Sequence, residues 1–148
     1  MMILTLFVAL GCYILVKVLV NSEKSGDKLI PPSGNLLIFD TETNGFPIDW
    51  RASLYDTENW PRIISIAWFK IAPNGQKLAA QSFIVKADFP IITEAVEIHG
   101  ISNSVANNVG ISLKEILSLF DKEILDCKYL IAHNIEFDFA VLFSEYLR

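Results

Sequence analysis

The sequence predicts a single mixed α/β domain of three layers. Three short apolar or alternating segments come first, within residues 36–86, and helical and strand-like segments alternate only after them. A chain of 148 residues has room for one domain with a substantial core. The first 20 residues do not fit this pattern, because they are almost entirely apolar.

The first three predicted strands form an opening meander. Leu36 to Asp40 is a nearly continuous apolar run, which is typical of a strand buried on both faces. Ile63 to Ala72 and Lys77 to Lys86 flank the turn Pro73-Asn74-Gly75, and this arrangement predicts an antiparallel hairpin. Phe46 to Trp60 is polar, mixed and aromatic, and is predicted to be a loop.

Helices predominate in the second half of the chain. Apolar residues at helical spacing predict a helix over Leu113 to Leu125, with Ser112 and Glu115 as its capping box. Lys128 to Ala132 is predicted to be the fourth strand of the domain. A last helix begins at Ile135 and continues to the end of the sequence.

The first 20 residues predict a membrane anchor. Met2 to Val20 is apolar or small except for Lys17, and a helix of this length spans about 28 Å, close to the hydrocarbon thickness of a bilayer. A cleaved signal peptide and a buried core helix are the alternatives, but no basic residue precedes the apolar run and no A-x-A site follows it. Residues 21–34 are predicted to be a polar linker, and residues 35–148 the domain.

The lysines near this segment predict its orientation. Lys17, Lys24 and Lys28 all lie toward its C-terminal side, so the positive-inside rule places the domain in the cytoplasm. The expected location is therefore the cell inner membrane, with one membrane-spanning helix. A cytoplasmic protein is the alternative.

Charge restricts the kind of nucleic-acid partner. There are 12 basic and 17 acidic residues, and the net charge of −5 argues against binding nucleic acid through a broad basic surface. A metal-dependent nuclease is not excluded, because divalent cations bring their own positive charge to the phosphate.

Two acidic motifs carry the predicted chemistry. Asp40 and Glu42 stand two residues apart at the end of the first strand, so their side chains point to the same face. Asp138 lies in the first turn of the last helix. Carboxylates from separate elements suit Mg²⁺ or Mn²⁺, and two such ions about 4 Å apart can activate water and neutralise the leaving oxygen of a phosphodiester. Asp40 could bridge both ions, with Glu42 on one and Asp138 on the other.

Each motif alone also fits an ordinary strand-to-loop junction or helix start. Together with a third segment, however, they resemble the DnaQ-like (DEDD) superfamily of 3'-5' exonucleases, which includes the epsilon proofreading subunit of bacterial DNA polymerase III. Residues 36–45 read LLIFDTETNG, residues 94–102 read EAVEIHGIS and residues 132–138 read AHNIEFD, in the order of that family. The resemblance implies a ribonuclease H-like fold and removal of nucleotides from a single-stranded or frayed 3' end of DNA. It also implies replication or repair proteins as partners.

The resemblance assigns roles to individual residues. Asp40, Glu42 and Asp138 match three metal-binding carboxylates of the family. The backbone around Thr41 and Thr43 would lie against the terminal nucleotide.

Two further positions complete the predicted substrate-binding residues. Asn44 stands where many relatives have a threonine, and His99 falls in the middle segment, at an expected turn or helix start. His133 lies five residues before Asp138 and is predicted to be structural. The third motif of the family, a general-base histidine five residues before a fourth aspartate, does not follow Asp138. The chain is therefore expected to end before that motif and to hydrolyse DNA poorly or not at all.

Two other functions remain open. One is a short-RNA exonuclease of the same superfamily, because nothing in the sequence reveals a contact with a 2'-hydroxyl group. The other is a non-catalytic module that uses the same fold to bind nucleic acid or protein. Trp50 and Trp60 either stack on a bound base or pin their loop to the core.

Overall fold

The computed structural model describes residues 13–14 and 33–148. The described elements, in chain order, are the strands and helices β1 (Tyr13–Ile14), β2 (Asn35–Thr43), β3 (Ile63–Ile71), β4 (Lys77–Ile84), α1 (Thr93–His99), α2 (Asn103–Val109), α3 (Leu113–Ile124), β5 (Cys127–Ile131) and α4 (Ile135–Leu147).

The strands form one mixed sheet in the order β1-β5-β2-β3-β4. Strands β2, β3 and β4 pair antiparallel, whereas β5 runs parallel to β2 and β1 runs parallel to β5. The predicted meander and the later alternation of helix and strand are therefore confirmed as a mixed α/β architecture. Strand β2 lies in the centre of the sheet, and both acidic motifs are positioned by it.

The predicted anchor falls mostly outside the described residues. Of Met2 to Val20, the structure describes only Tyr13–Ile14, which pair with β5 as a short strand, in contrast to the helix expected there. Within the described part of the chain, no helix has both the length and the apolar character needed to span a bilayer. The anchor and the linker over residues 21–34 stay predictions.

The core lies on one face of the sheet, under α3 and α4. Leu37 and Phe39 of β2 are fully buried on this face, and the ring centroids of Phe39 and Phe120 lie 5.7 Å apart. On the opposite face of β2, Leu36 and Ile38 are only half-buried. The prediction of a strand buried on both faces is thus wrong for one face, because no apolar layer of comparable depth covers that face among the described residues.

Helix α2 and the segments next to it contribute a smaller cluster near the start of β3. Ile64, Ala87 and Ala106 are fully buried there, and Ile84 and Ile101 pack against them. Ile64 is the extra residue at a bulge where β3 passes Glu42 and Thr43 of β2, which separates it from the main core.

A buried ion pair joins the end of α4 to the start of β3. The Glu145 side chain is 1% exposed and accepts hydrogen bonds from Arg62 Nε at 2.8 Å and 3.1 Å. The backbone N–H of Ile63 donates to the same carboxylate at 2.9 Å, and Arg148 Nη1 lies 3.2 Å from it. A buried carboxylate is tolerated when its oxygens are bonded in this way. These contacts hold α4, which carries Asp138, against the sheet.

Candidate metal centre

The second acidic motif docks directly on the first. Pairing of β2 with β5 ends at Ile38, so the β2 backbone beyond that residue is free of a strand partner on this side. Asp138 fills the gap, because its Oδ1 accepts hydrogen bonds from Thr41 N at 3.0 Å and from Thr41 Oγ1 at 2.8 Å. Asp138 is 3% exposed. Its carboxylate is therefore fixed against Thr41, the residue between Asp40 and Glu42.

Asp40 and Glu42 lie on the other face of β2 from Thr41 and Thr43. Strand alternation buries both threonines and leaves Asp40 exposed and Glu42 half-buried. Burial raises the pKa of Glu42, the nearby charge of Asp40 raises it further, and His99 lowers it.

Asp40 also acts on the carboxyl group of Asp138. Burial raises the pKa of Asp138, the two hydrogen bonds from Thr41 lower it, and the negative charge of Asp40 raises it. Asp40 thus interacts electrostatically with both Glu42 and Asp138. We call Asp40, Glu42 and Asp138 the carboxylate unit, in which Asp40 is the residue that affects the pKa of both others.

The donor chemistry of this unit fits a hard divalent cation such as Mg²⁺ or Mn²⁺. Carboxylate oxygens are the ligands that such ions prefer, and the pKa values of Glu42 and Asp138 are raised by burial and, to a smaller extent, by the charge of Asp40. No group of three or more His, Cys, Asp or Glu side chains within residues 13–14 and 33–148 is close enough in this structure to hold a metal ion.

His99 lies beside Glu42 at the end of α1. Its Nδ1 accepts a hydrogen bond from Ile101 N at 3.1 Å, which leaves Nε2 to donate to Thr43 O at 3.2 Å. The expected position of His99 at a turn or helix start is wrong, because it is the last residue of a short helix. Its ring connects that helix to the strand that carries the first motif.

The side chains of Thr43 and Asn44 are engaged in bonds within the protein. Thr43 Oγ1 donates to Gly45 O at 2.7 Å. Asn44 Oδ1 accepts from Arg62 N at 2.7 Å, and its Nδ2 donates to Pro90 O at 3.0 Å. In this structure both residues shape the turn after β2, and their predicted contacts with a nucleotide would have to come from the backbone.

His133 does not belong to this site. It is exposed in the turn before α4, and its side chain makes no hydrogen bond to the described residues. No contact with those residues supports the structural role predicted for His133.

The two tryptophans of the loop after β2 differ sharply in their surroundings. Trp60 is 5% exposed, and its Nε1 donates to Ser53 O at 3.1 Å, so it pins the loop to the core. Trp50 is 60% exposed, and its ring centroid lies 5.5 Å from that of Phe137. Sequence reasoning treated the two alike, because only the folded loop separates a buried ring from an exposed one.

Comparison with solved structures finds matches to exonuclease I. Exonuclease I from Methylocaldum szegediense matches with a TM-score of 0.58 and 20% identity, over 73% of this chain and 22% of its own. E. coli exonuclease I in complex with a dT13 oligonucleotide matches with a TM-score of 0.59 and 19% identity, over the same shares. The chain has an exonuclease I-like fold. A mixed α/β sheet of this kind is consistent with the predicted ribonuclease H-like architecture.

The exonuclease I-like fold covers only part of those enzymes. The chain spans 22% of the length of the matched exonuclease I in the ExoI/SSB-Ct complex, with a TM-score of 0.59 and 19% identity. No family model matches the chain, and no curated protein matches it. The matched structures described above are of exonuclease I, and the predicted resemblance to the epsilon subunit rests on the three sequence segments.

Proposed function

We propose that this chain carries metal-binding carboxylates of a 3'-5' exonuclease that acts on DNA. The observation that supports this most is the docking of Asp138 on Thr41, across 97 residues of sequence. It brings the second acidic motif to the first in an exonuclease I-like fold, and Asp40 interacts with the carboxylates on both sides.

Asp40, Glu42 and Asp138 would hold the two Mg²⁺ or Mn²⁺ ions. Such ions supply an activated water and positive charge for the phosphate and the leaving oxygen. The protein itself contributes position, because Thr41 fixes the orientation of Asp138 and the Arg62–Glu145 pair holds α4 to β3. His99 would steady the backbone of Thr43 beside the bound 3' end.

The proposed substrate is the 3' end of single-stranded or frayed DNA. Support comes from the E. coli exonuclease I structure, which contains a dT13 oligonucleotide. Anchoring through Met2 to Val20, a cytoplasmic orientation at the inner membrane, and replication or repair partners are further parts of the proposal. They rest on the sequence patterns described above.

The metal assignment can be tested by calorimetric titration of the full chain with Mn²⁺. We expect Asp40→Asn to weaken binding by at least tenfold, because it removes the carboxylate that affects the pKa of both others in the carboxylate unit. Asp88→Asn is the matched control, since Asp88 is an exposed aspartate outside this unit, and it should bind Mn²⁺ like the wild type. Equal affinity in the wild type and Asp40→Asn would contradict the proposal.

The reaction can be tested with DNA and RNA oligonucleotides labelled at the 3' end. Slow release of labelled mononucleotide from DNA in Mn²⁺, absent in Asp40→Asn, is the expected result. Faster release from RNA would indicate the short-RNA exonuclease instead. Mn²⁺ binding without any release from either substrate would agree with a non-catalytic module and equally with an exonuclease domain that lacks the third motif.

A further inference from the structure

A cavity of about 410 Å³ lies between the loop after β2 and the start of α4. Aromatic rings of Trp50 and Phe137 form part of its wall, and polar groups of Arg51, Asn134 and Glu136 lie along it. The wall is thus mixed, with aromatic surface and polar groups in similar measure, and small-ligand sites combine these two kinds of surface. Its size suits one planar group with a polar edge.

Trp50 is the one exposed tryptophan of the three in the sequence. Trp60 and Trp68 are 5% and 1% exposed, whereas 60% of Trp50 is accessible to solvent. Its ring meets Phe137 at a centroid distance of 5.5 Å and an interplanar angle of 40°. Phe137 therefore supports the ring from one side, and most of the indole surface stays available for stacking.

The polar groups of the cavity are also free to bind a ligand. The Arg51 guanidinium forms no ion pair or side-chain hydrogen bond with the described residues, so it is available to a phosphate. Asn134 stands at the N-cap of α4 without making a side-chain cap bond. Its amide and the Glu136 carboxylate together offer donors and acceptors to the edge of a base.

The cavity lies beside the first turn of α4, which also carries Asp138 of the proposed metal centre. Phe137 immediately precedes Asp138 on the first turn of α4, and Trp50 lies on the loop that follows the first motif. We infer that Trp50 forms, with Phe137 and Arg51, a stacking site for an unpaired nucleobase of the strand whose 3' end lies at Asp40, Glu42 and Asp138. This inference rests on the proposed function, since it gives that function a specific contact with single-stranded nucleic acid.

The test uses tryptophan fluorescence of the full chain titrated with thymidine 5'-monophosphate in Mg²⁺. A base that stacks on Trp50 should quench its emission, because the other two tryptophans are buried. Ribose 5-phosphate, which has the phosphate but no base, should leave the emission unchanged. Quenching by both compounds to the same extent, or by neither, would overturn the inference.

Variants separate stacking from damage to the loop. Trp50→Ala should weaken binding of thymidine 5'-monophosphate, measured by calorimetry, by about 5- to 100-fold, the range expected for one base stack. Trp50→Phe should keep the affinity within about threefold but abolish the quenching, because a stacking ring remains without the indole. Tyr55→Ala is the control in the same loop, since Tyr55 is exposed and packs on Phe143 away from the cavity. It should bind like the wild type, and a loss equal to that of Trp50→Ala would contradict the assignment.

The inference and the proposed function can fail independently. If Asp40→Asn loses Mn²⁺ binding but the nucleotide does not quench the wild type, only the base site is wrong. If the nucleotide quenches Trp50 but Asp40→Asn binds Mn²⁺ normally, the metal assignment is wrong, and so is the placement of the stacked base beside a metal centre.

Discussion

The proposed function of Asp138 and the stability of the fold oppose each other. Its carboxylate is almost fully buried and lies near Asp40, and both effects raise its pKa in the folded protein. Two hydrogen bonds from Thr41 offset part of the cost but do not reverse it. Ionised Asp138 therefore destabilises the fold at neutral pH, which is the condition in which it could bind a cation.

The variant Asp138→Asn should consequently be more stable than the wild type at pH 7. Asparagine keeps an Oδ1 acceptor for Thr41 and removes the charge. Because the folded-state pKa is raised, the cost of the charge is fully present above that pKa and disappears as the pH falls below the pKa of an unfolded aspartate. Thermal unfolding should show a higher Tm for Asp138→Asn at pH 7 and a shrinking difference toward pH 3.

Asp138→Ala separates charge from hydrogen bonding in the same measurement. It leaves the buried N–H and hydroxyl of Thr41 without their acceptor, which costs about 1 to 3 kcal/mol for each buried group. We therefore expect a lower Tm than the wild type. A Tm for Asp138→Asn below that of the wild type at pH 7 would show that the ionised carboxylate is favourable.

Some features of single residues can be predicted from the sequence, and others depend on the folded structure. The shared face of Asp40 and Glu42 follows from strand alternation alone and needs no tertiary information. The bonds from Thr41 to Asp138 could not be predicted, because they depend on where β5 stops pairing with β2 and on how α4 packs. The different burial of Trp50 and Trp60 likewise arises only from the folded loop.

At the level of elements, the N-terminal ends of α2 and α3 can be compared, because each has a serine at its N-cap. Ser102 is the N-cap of α2, and its side chain accepts a hydrogen bond from Val105 N at 3.3 Å. Ser112 is the N-cap of α3, but its side chain makes no cap bond. The predicted capping box is therefore wrong in its bonds, although the start of the helix is correct.

The two serines should respond differently to alanine. Ser102→Ala removes a cap bond and should lower the free energy of unfolding by about 0.5 to 1 kcal/mol, measured by urea denaturation. Ser112→Ala removes no bond and should change it by no more than a few tenths of a kcal/mol. An equal loss in both variants would mean that Ser112 caps α3 in solution.

A clear helical spacing of apolar residues made some elements predictable, and elements without it could not be predicted. Helix α3 was predicted almost to the residue, because Ile116, Leu117, Phe120 and Ile124 form one buried stripe. Helices α1 and α2 were not defined from the sequence, since seven residues are too few for a clear period. Strand β2 continues to Thr43, beyond its apolar run, because its polar end still pairs with β3.

At the scale of the whole molecule, the chain is acidic, and three of its carboxylates belong to the two motifs. The net charge is −5, and Asp40 raises the pKa of both neighbouring carboxyl groups. Repulsion among these groups opposes folding. A divalent cation that binds the folded site should therefore stabilise the entire domain by relieving this repulsion, since the unfolded chain does not hold the three carboxylates together.

This argument predicts that Mg²⁺ raises the Tm of the full chain. At a free concentration 100 times the Kd, a ligand specific for the folded state adds about 2.7 kcal/mol, which corresponds to a rise of roughly 10 °C for a domain of this size. Asp40→Asn should show little rise, because it removes the carboxylate that interacts with both others. NaCl at equal ionic strength is the control for screening of surface charge, and it should raise the Tm of the wild type much less than Mg²⁺ does. If Mg²⁺ and NaCl stabilise the wild type to the same extent, the cation acts by screening alone and Asp40, Glu42 and Asp138 do not form a metal centre.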